Sequence, residues 1–296
     1  MIAPAYAPPV SKRPSTVATH ASPAPYAAGL PEHISPSAAK AYLSCSLKFF
    51  YERVARLPRK TSPALHLGKA IHAALQQFHL ARWRDGDTTP EAVAASYEEA
   101  FIRLETEEGP VRFKDDAARE KARLDGLRVV AAYLDSPEVP KEKPRAVEVL
   151  LKEDIDGLAV PLTGAMDLIE GDYTPVDFKS AASRPDAAHA AFDHEIQLVS
   201  YQLLMERAVG VSPPRLDLLF LVKTKTPQVI RVSSPPADAA RKSRVVRLLD
   251  TAVKGIAEGR FHPQPGMQCS WCEFRNECAK WPNALKSAAK MERRAA

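Results

Sequence analysis

Residues 146–180 constrain the fold more than any other stretch of this 296-residue chain. Asp156-Gly157 and Gly171-Asp172 are turn dipeptides of the hairpin kind, and the runs between them are apolar and β-branched, which predicts a three-stranded antiparallel meander. The meander places Asp167, in Gly164-Ala165-Met166-Asp167, and Asp177, in Val176-Asp177-Phe178-Lys179, on neighbouring strands. Side chains two apart on a strand share a face. Asp177 and Lys179 are therefore expected to point together into one site, with Val176 and Phe178 turned to the core.

Two acids and a lysine so placed are the material of a divalent-metal site for phosphodiester hydrolysis. Hard carboxylate oxygens suit Mg2+ or Mn2+, which lower the pKa of bound water and polarise a phosphate. An ammonium beside them holds the attacking water or stabilises charge growing on the phosphorus centre. An isolated Asp-x-Lys reads more simply as a solvated pair on a strand edge, so the surrounding motifs matter. Residues 186–209 have helical periodicity and carry Gln197 and Tyr201 four apart, on one helical face. Residues 65–84 form another predicted helix, with Gly68-Lys69-Ala70-Ile71-His72 inside it. A single histidine on a half-apolar helix is ordinarily a core or surface residue, and His72 alone is weak evidence for a metal ligand. Glu148, on the strand before Asp167, is either a further acid at the site or a surface strand residue.

Taken in order, Gly68-x-x-x-His72, Gly164-x-x-Asp167, Val176-Asp177-x-Lys179 and Gln197-x-x-x-Tyr201 resemble the PD-(D/E)xK nucleases, in particular the RecB-like exonuclease branch. That branch includes the nuclease domains of the RecBCD and AddAB recombination complexes and the CRISPR-associated adaptation nucleases. The resemblance runs from about Ile34 to Trp281. It implies that His72, Asp167 and Asp177 bind the metal, that Lys179 acts in catalysis, and that the helix of Gln197 and Tyr201 supports the site. Asp177 stands where the family more often has Glu, a choice its pattern also permits. The implied activity is a metal-dependent DNA exonuclease acting on single strands or duplex ends, in DNA repair, recombination or phage DNA processing. A non-catalytic DNA-binding or scaffold subunit that keeps the nuclease fold is the alternative of a different class, and a zinc-stabilised regulator with incidental acids is a third.

The four cysteines, Cys45 and the Cys269-x-x-Cys272-x5-Cys278 cluster, have the layout of a four-coordinate metal or cluster site. Zinc more often takes two Cys-x-x-Cys knuckles, and disulfides need an oxidising compartment that nothing in the sequence supports. In some RecB-like members the same layout holds a 4Fe-4S cluster that staples the C-terminal tail to an N-terminal helix, and the resemblance implies that role here. The helix predicted from residue 35 opens with Ser35 as N-cap and Pro36 at its first position. Closing so long a loop stabilises a native state by restricting the unfolded chain.

The remaining periodicities predict helices over residues 35–56, 65–84, 90–108, 114–135 and 237–258, a buried strand over 216–224 and a partner strand over 228–233. The expected architecture is α/β: a restriction-endonuclease-like core whose mixed central sheet is flanked by helices, with the N-terminal helical portion as an insertion or cap. Because the motifs span the chain and must meet, residues 34–282 are expected to form one domain. Residues 1–33, rich in Pro, Ala and Ser, read as a disordered arm, and residues 283–296 as a basic tail carrying Lys286, Lys290, Arg293 and Arg294. Neither a secretory signal nor a membrane span is found, so a cytoplasmic location and no membrane partner are expected. The net charge of +5 is weak evidence for nucleic acid. Local clusters at Arg53, Arg56, Arg59 and Lys60, and at Arg241, Lys242, Arg244 and Arg247, are candidate phosphate contacts or ordinary solvated faces. No phosphate-binding loop of the helicase type occurs, so unwinding falls to a helicase or recombination partner.

Overall fold

A computed structural model of the protein describes residues 29–281 except Lys60 and Glu108. The first 28 residues of the predicted arm, and the predicted basic tail, lie outside the described residues.

Five strands form one mixed sheet in the order β1-β2-β3-β4-β5. They are β1 (Ala146–Glu153), β2 (Leu162–Ile169), β3 (Pro175–Ala181), β4 (Leu216–Val222) and β5 (Gln228–Ser234). The meander β1-β2-β3 is antiparallel, as its alternation requires, whereas β3 and β4 run parallel. A parallel neighbour needs a crossover, supplied here by α6 (Ala187–Asp193) and α7 (Glu195–Ala208). Every residue of β4 is buried, which explains its nearly continuous apolar run. The strand connections are longer than the two-residue turns expected: residues 154–161 and 170–174 intervene, and Asp156-Gly157 and Gly171-Asp172 are only parts of them.

Helices cover both faces. On one lie α3 (Pro63–Arg84), α4 (Pro90–Glu107) and α5 (Asp116–Leu134), packed over Leu168, Val176, Phe178, Leu219 and Leu221. These early helices are thus a full layer of the fold rather than an insertion or cap. The other face is covered by α7, α8 (Ala239–Ala257) and α1 (Pro36–Ser44), closing over Leu162 and Met166. Ile34 is tied to the edge of β2: its backbone pairs with Pro161 and Thr163, and its side chain is buried. Among the described residues no helix is long and apolar enough to cross a membrane.

Two helices predicted as continuous are broken. The first ends at Ser44 and resumes as α2 (Ser46–Phe49), which runs on as a π-helical turn (Phe50–Val54), because Cys45 is extended with φ −166° and ψ 103°. Ser35 does cap α1, its Oγ accepting from the Ala38 N–H at 3.2 Å, with Pro36 following. The second break is at His194, which ends α6 and begins α7.

Candidate active site and cysteine pocket

The acid cleft forms where β2 and β3 separate. The two strands pair only at Leu168 with Val176 and Ile169 with Pro175. One step further, at Asp167 and Asp177, the ladder opens, and the Asp167 side chain stands in for it: its Oδ2 accepts the Phe178 N–H at 2.7 Å. Asp167 is thereby fixed beside β3 by its side chain, at the point where the β2-β3 ladder has ended. On the other side of Asp167 lies Glu148, which falls opposite it in the β1-β2 register and has a left-handed backbone, φ +51°. Few non-glycine residues adopt that conformation. Its neighbours Val147 and Val149 consequently pack toward different core clusters, where regular alternation would put them on one face.

Asp177 and Lys179 share a face of β3, as their spacing demands, and form an ion pair with Lys179 Nζ 2.6 Å from Asp177 Oδ2. Gln197 on α7 uses its whole amide on this pair. Its Oε1 accepts from Lys179 Nζ at 2.9 Å, and its Nε2 donates to Asp177 Oδ1 at 2.6 Å and to the Tyr201 hydroxyl at 2.7 Å. Tyr201 has one proton to give. The Ala165 carbonyl, at 2.6 Å, is the closer acceptor, with Asp177 Oδ1 at 3.0 Å. The tyrosine therefore ties β2, β3 and α7 together at the cleft.

His72 arrives from α3, with Nδ1 3.7 Å from Asp167 Oδ2. Two motif glycines make these approaches feasible. A Cβ on Gly68 would meet Ser180 Oγ at 2.9 Å, and one on Gly164 would meet Leu204 Cδ1 at 2.7 Å and Tyr201 Cε1 at 3.3 Å. Without side chains there, α3 and α7 close on the sheet from its two faces.

The electrostatics are those of crowded acids. Burial and the neighbouring Asp167 carboxylate raise the Asp177 pKa above the usual range, a shift that Lys179 partly offsets. Glu148 is also raised, by burial and then by Asp167 and Asp177. Burial pulls the His72 pKa down, but Asp167 and Asp177 outweigh it and the net shift is upward. Elsewhere the buried acids are matched: Asp217 and Glu170 are paired with Arg215 and Arg231 at 2.6–3.0 Å. The cleft gathers Glu148, Asp167 and Asp177 around one lysine and one histidine.

All six motif residues named from the sequence, His72, Asp167, Asp177, Lys179, Gln197 and Tyr201, thus meet in one cleft, with Glu148 beside them. Two neighbours carried no sequence signal. His194 lines a groove with Lys179 and Gln197, its pKa brought down to about 4 by burial and by Lys179 and Lys40. Lys40, on α1, lines the same groove. Both are brought there by tertiary packing alone.

The four cysteines are free thiols that line a second cavity, of about 70 Å³, with Leu47, Tyr51, Pro263, Pro265 and Phe274. Cys45 sits in the break between α1 and α2. Cys269 lies in a 3₁₀ turn (Met267–Trp271), and Cys278 ends the short α9 (Arg275–Cys278). The C-terminal segment is locked to the broken helix by Ser46, whose Oγ donates to the His262 carbonyl at 3.1 Å and accepts the His262 N–H at 3.0 Å. The Ser46 N–H donates to Gln264 Oε1 at 2.6 Å, and the Tyr51 hydroxyl donates to the Glu277 carbonyl at 3.1 Å. Burial, together with the other three cysteines, pushes the Cys278 thiol pKa up. Among the described residues, neither the cleft nor this pocket has three or more His, Cys, Asp or Glu side chains drawn into a ready coordination group for an ion.

The basic cluster opening α8 is largely neutralised: Arg241 and Arg244 pair with Glu195 and Lys242 with Glu206. In the other cluster Arg59 pairs with Glu52, and Lys60 lies outside the described residues.

Residues 33–279 match the family model of the PD-(D/E)XK nuclease superfamily. The chain belongs to that superfamily. Its fold is similar to the crystal structure of a candidate exonuclease from Eubacterium rectale, with a TM-score of 0.57 and 14% identity over 82% of this chain and 88% of that one. A looser likeness joins it to the crystal structure of SSO0001, at a TM-score of 0.33 and 18% identity over 60% of this chain and 79% of that one. No curated protein matches the chain significantly. Nucleases of this superfamily typically use divalent metals such as Mg2+.

Proposed function

We propose that this PD-(D/E)XK protein is a metal-dependent DNA exonuclease of the RecB-like kind, working on single strands or duplex ends in repair, recombination or phage DNA processing. The observation that carries the reading is the excess of acid in the cleft: Glu148, Asp167 and Asp177 crowd together with raised pKa values at Glu148 and Asp177, although buried acids elsewhere have arginine partners. Such crowding is costly unless a cation sits among the carboxylates. The donor set fits a hard divalent ion, so Asp167 and Asp177, with His72 and Glu148 beside them, would hold Mg2+ or Mn2+. That ion would supply an ionised water at neutral pH and polarise the phosphate.

The chain's own groups do the rest. Lys179 places an ammonium where charge develops on the phosphate oxygens and where an attacking water needs orienting. Gln197 bridges that ammonium and Asp177 with one amide, and Tyr201 links Gln197 to the Ala165 carbonyl on β2. Neutral His194 borders Lys179 without adding to the positive charge.

The four thiols facing one small apolar cavity suit a soft-metal body, and Cys45, Cys269, Cys272 and Cys278 would hold a 4Fe-4S cluster that joins the two ends of the domain. Iron-sulfur protein is brown with broad absorption near ~400 nm, whereas zinc protein is colourless. A helicase or recombination protein would deliver the DNA end, since this chain has no motor motif.

The test is hydrolysis of 5′- and 3′-end-labelled single and double strands with Mg2+ or Mn2+. Asp177→Ala and Lys179→Ala proteins that melt like the parent are expected to be inert. Equal cleavage by either variant removes the site. DNA binding in EDTA without any cleavage in metal points instead to a scaffold subunit.

A further inference from the structure

A groove of about 450 Å³ opens directly from Lys179 and Gln197 and runs past His194 and Lys40 to Lys48 and Gln268 beside the cysteine pocket. Its walls are α1 and the corner between α6 and α7, two elements far apart in the sequence. Lys40 reaches across it: Nζ donates to the Asp193 carbonyl at 2.7 Å. A carbonyl is a neutral partner. Among the described residues no carboxylate lies within ion-pair distance of Lys40, although burial and Lys179 press on its charge and the Asp193 carboxylate nearby partly offsets them; its ammonium lines the groove, whereas Lys48 pairs with Glu52 at 3.5 Å. Lys179 contributes a second ammonium at the groove's inner end, next to the cleft.

We propose that this groove carries the single strand that continues away from the scissile phosphate, and that Lys40 is the positioning residue that contacts the phosphate adjoining the one held at Lys179. The inference rests on the nuclease reading of the cleft and adds a strand path and a specificity residue to it. Three features favour a single strand. The volume is that of a small-ligand site, in the range of about 300–1,000 Å³, and admits a nucleotide or two of one chain but not a duplex. Positive charge along a groove tracks a phosphate backbone whatever its sequence. The lining also offers two neutral groups suited to sugars and base edges, His194 and the side-chain carbonyl of Gln268, whose Nε2 is held by the Ser44 and Gln264 carbonyls. Lys40 makes no contact with Asp167 or Asp177 in the structure, so its role is to seat the strand rather than to take part in bond breaking.

The experiment measures binding of a fluorescein-labelled oligothymidine to the full chain in EDTA across a salt series, and cleavage of the same strand and of a blunt duplex in Mg2+. Lys40→Gln keeps a donor for the Asp193 carbonyl but removes the charge, and Lys40→Arg restores it. The expected result is a log-log salt slope smaller by about 0.7 for Lys40→Gln, one phosphate's worth on a single strand. KM for the single strand rises several-fold, kcat is unchanged, and Lys40→Arg recovers the parent values. Lys121→Gln, at an exposed position of α5 in the opposite layer, is expected to change nothing. If Lys40→Gln binds the strand with the parent's salt slope while the parent cleaves normally, the groove assignment is overturned and the nuclease reading stands. If the parent binds with the predicted Lys40 dependence yet never cleaves in Mg2+ or Mn2+, the groove stands and the nuclease reading falls. A kcat loss in Lys40→Gln with KM unchanged overturns the positioning role.

Discussion

The acid cleft and the cysteine pocket border the same hydrophobic core, yet they are built in opposite ways. The cleft is made from regular elements: two strands, a helix on each face of the sheet, and a lattice of direct side-chain hydrogen bonds among Asp177, Lys179, Gln197 and Tyr201. The pocket is made from interruptions: an extended residue between two helices, a 3₁₀ turn and a four-residue helix. Its cysteines make no bonds to one another. A site on regular elements is organised by the fold before anything binds. A site on interruptions is held by a few hydrogen bonds such as those of Ser46, and the cluster proposed above would add a bridge across it, so the cleft should fail chemically when altered and the pocket should fail structurally.

The largest effect is therefore expected at Asp177. Asp177→Asn keeps the shape of the side chain and its contact with Gln197 but removes the charge that a cation needs. A loss of about 10³- to 10⁴-fold in turnover is expected, or roughly 4–5.5 kcal/mol at 1.36 kcal/mol per decade. Because burial and Asp167 already disfavour the ionised carboxyl, thermal stability without metal should hold or rise. A variant that is inactive because its melting temperature has dropped sharply would contradict the claim that this region is organised by the fold.

Cys272→Ala tests the opposite half of the comparison. Cys45 and Cys269 are more than two hundred residues apart in the chain, and a bridge across such a loop restricts the unfolded state by an amount worth about 3–5 kcal/mol, by analogy with a disulfide. For a domain of this size each 1 kcal/mol moves Tm by about 2–4 °C, so a fall on the order of 10 °C is expected, with loss of any visible absorption. The kcat of the molecules that remain folded should change little. Identical melting of parent and variant would show that the thiols bridge nothing.

The same contrast governs what could be read from the sequence. Asp177 and Lys179 were legible because a strand repeats every two residues, and Phe178 and Val176 confirm the register from the buried side. Gln197 and Tyr201 were legible because a helix brings residues four apart onto one face. The breaks were not. Residues 35–56 and 186–209 keep helical periodicity through Cys45 and His194, and only packing against distant segments decides otherwise: His262 and Gln264 hold Ser46 in the first case, and Lys40 holds the Asp193 carbonyl in the second. The left-handed backbone of Glu148 has no local signal either, since no glycine or asparagine marks it. Gly68 and Gly164 could be recognised as parts of motifs, but their physical reason, room for Ser180, Leu204 and Tyr201, needed coordinates.

Acid should distinguish the two regions through His79, which lies beneath the cleft. Its ring stacks on Phe178 with centroids 5.9 Å apart, and its Nε2 shares a 2.6 Å hydrogen bond with the Tyr133 hydroxyl. Burial, reinforced by Arg82, lowers its pKa from 6.5 to about 3. The folded state therefore binds fewer protons than the unfolded chain below pH 6.5. Stability present above that value is lost as pH falls toward 3, with a slope approaching ~1.4 kcal/mol per pH unit. Between pH 7 and 5 this amounts to about 2 kcal/mol. His79→Gln, which retains a partner for Tyr133 without titrating, should flatten the dependence of Tm on pH over that interval. An unchanged slope would place the acid sensitivity outside the layer under the cleft.

The smallest expected effect is at Tyr201, and it asks how redundant the cleft's lattice is. Tyr201→Phe removes the hydroxyl that donates to the Ala165 carbonyl and accepts from Gln197. One neutral hydrogen bond is worth about 0.5–1.5 kcal/mol net, and more when the abandoned acceptor stays buried. Asp177 keeps two partners after the change, Lys179 on one oxygen and Gln197 on the other. Turnover should therefore fall only about tenfold, near 1.4 kcal/mol, with a Tm lowered by a few degrees. A loss as deep as that of Asp177→Asn would mean that the tyrosine touches the reacting groups directly. A loss confined to Tm would mean that Gln197 alone suffices to hold Lys179 and Asp177 in place, and that Tyr201 serves the joint between β2 and α7.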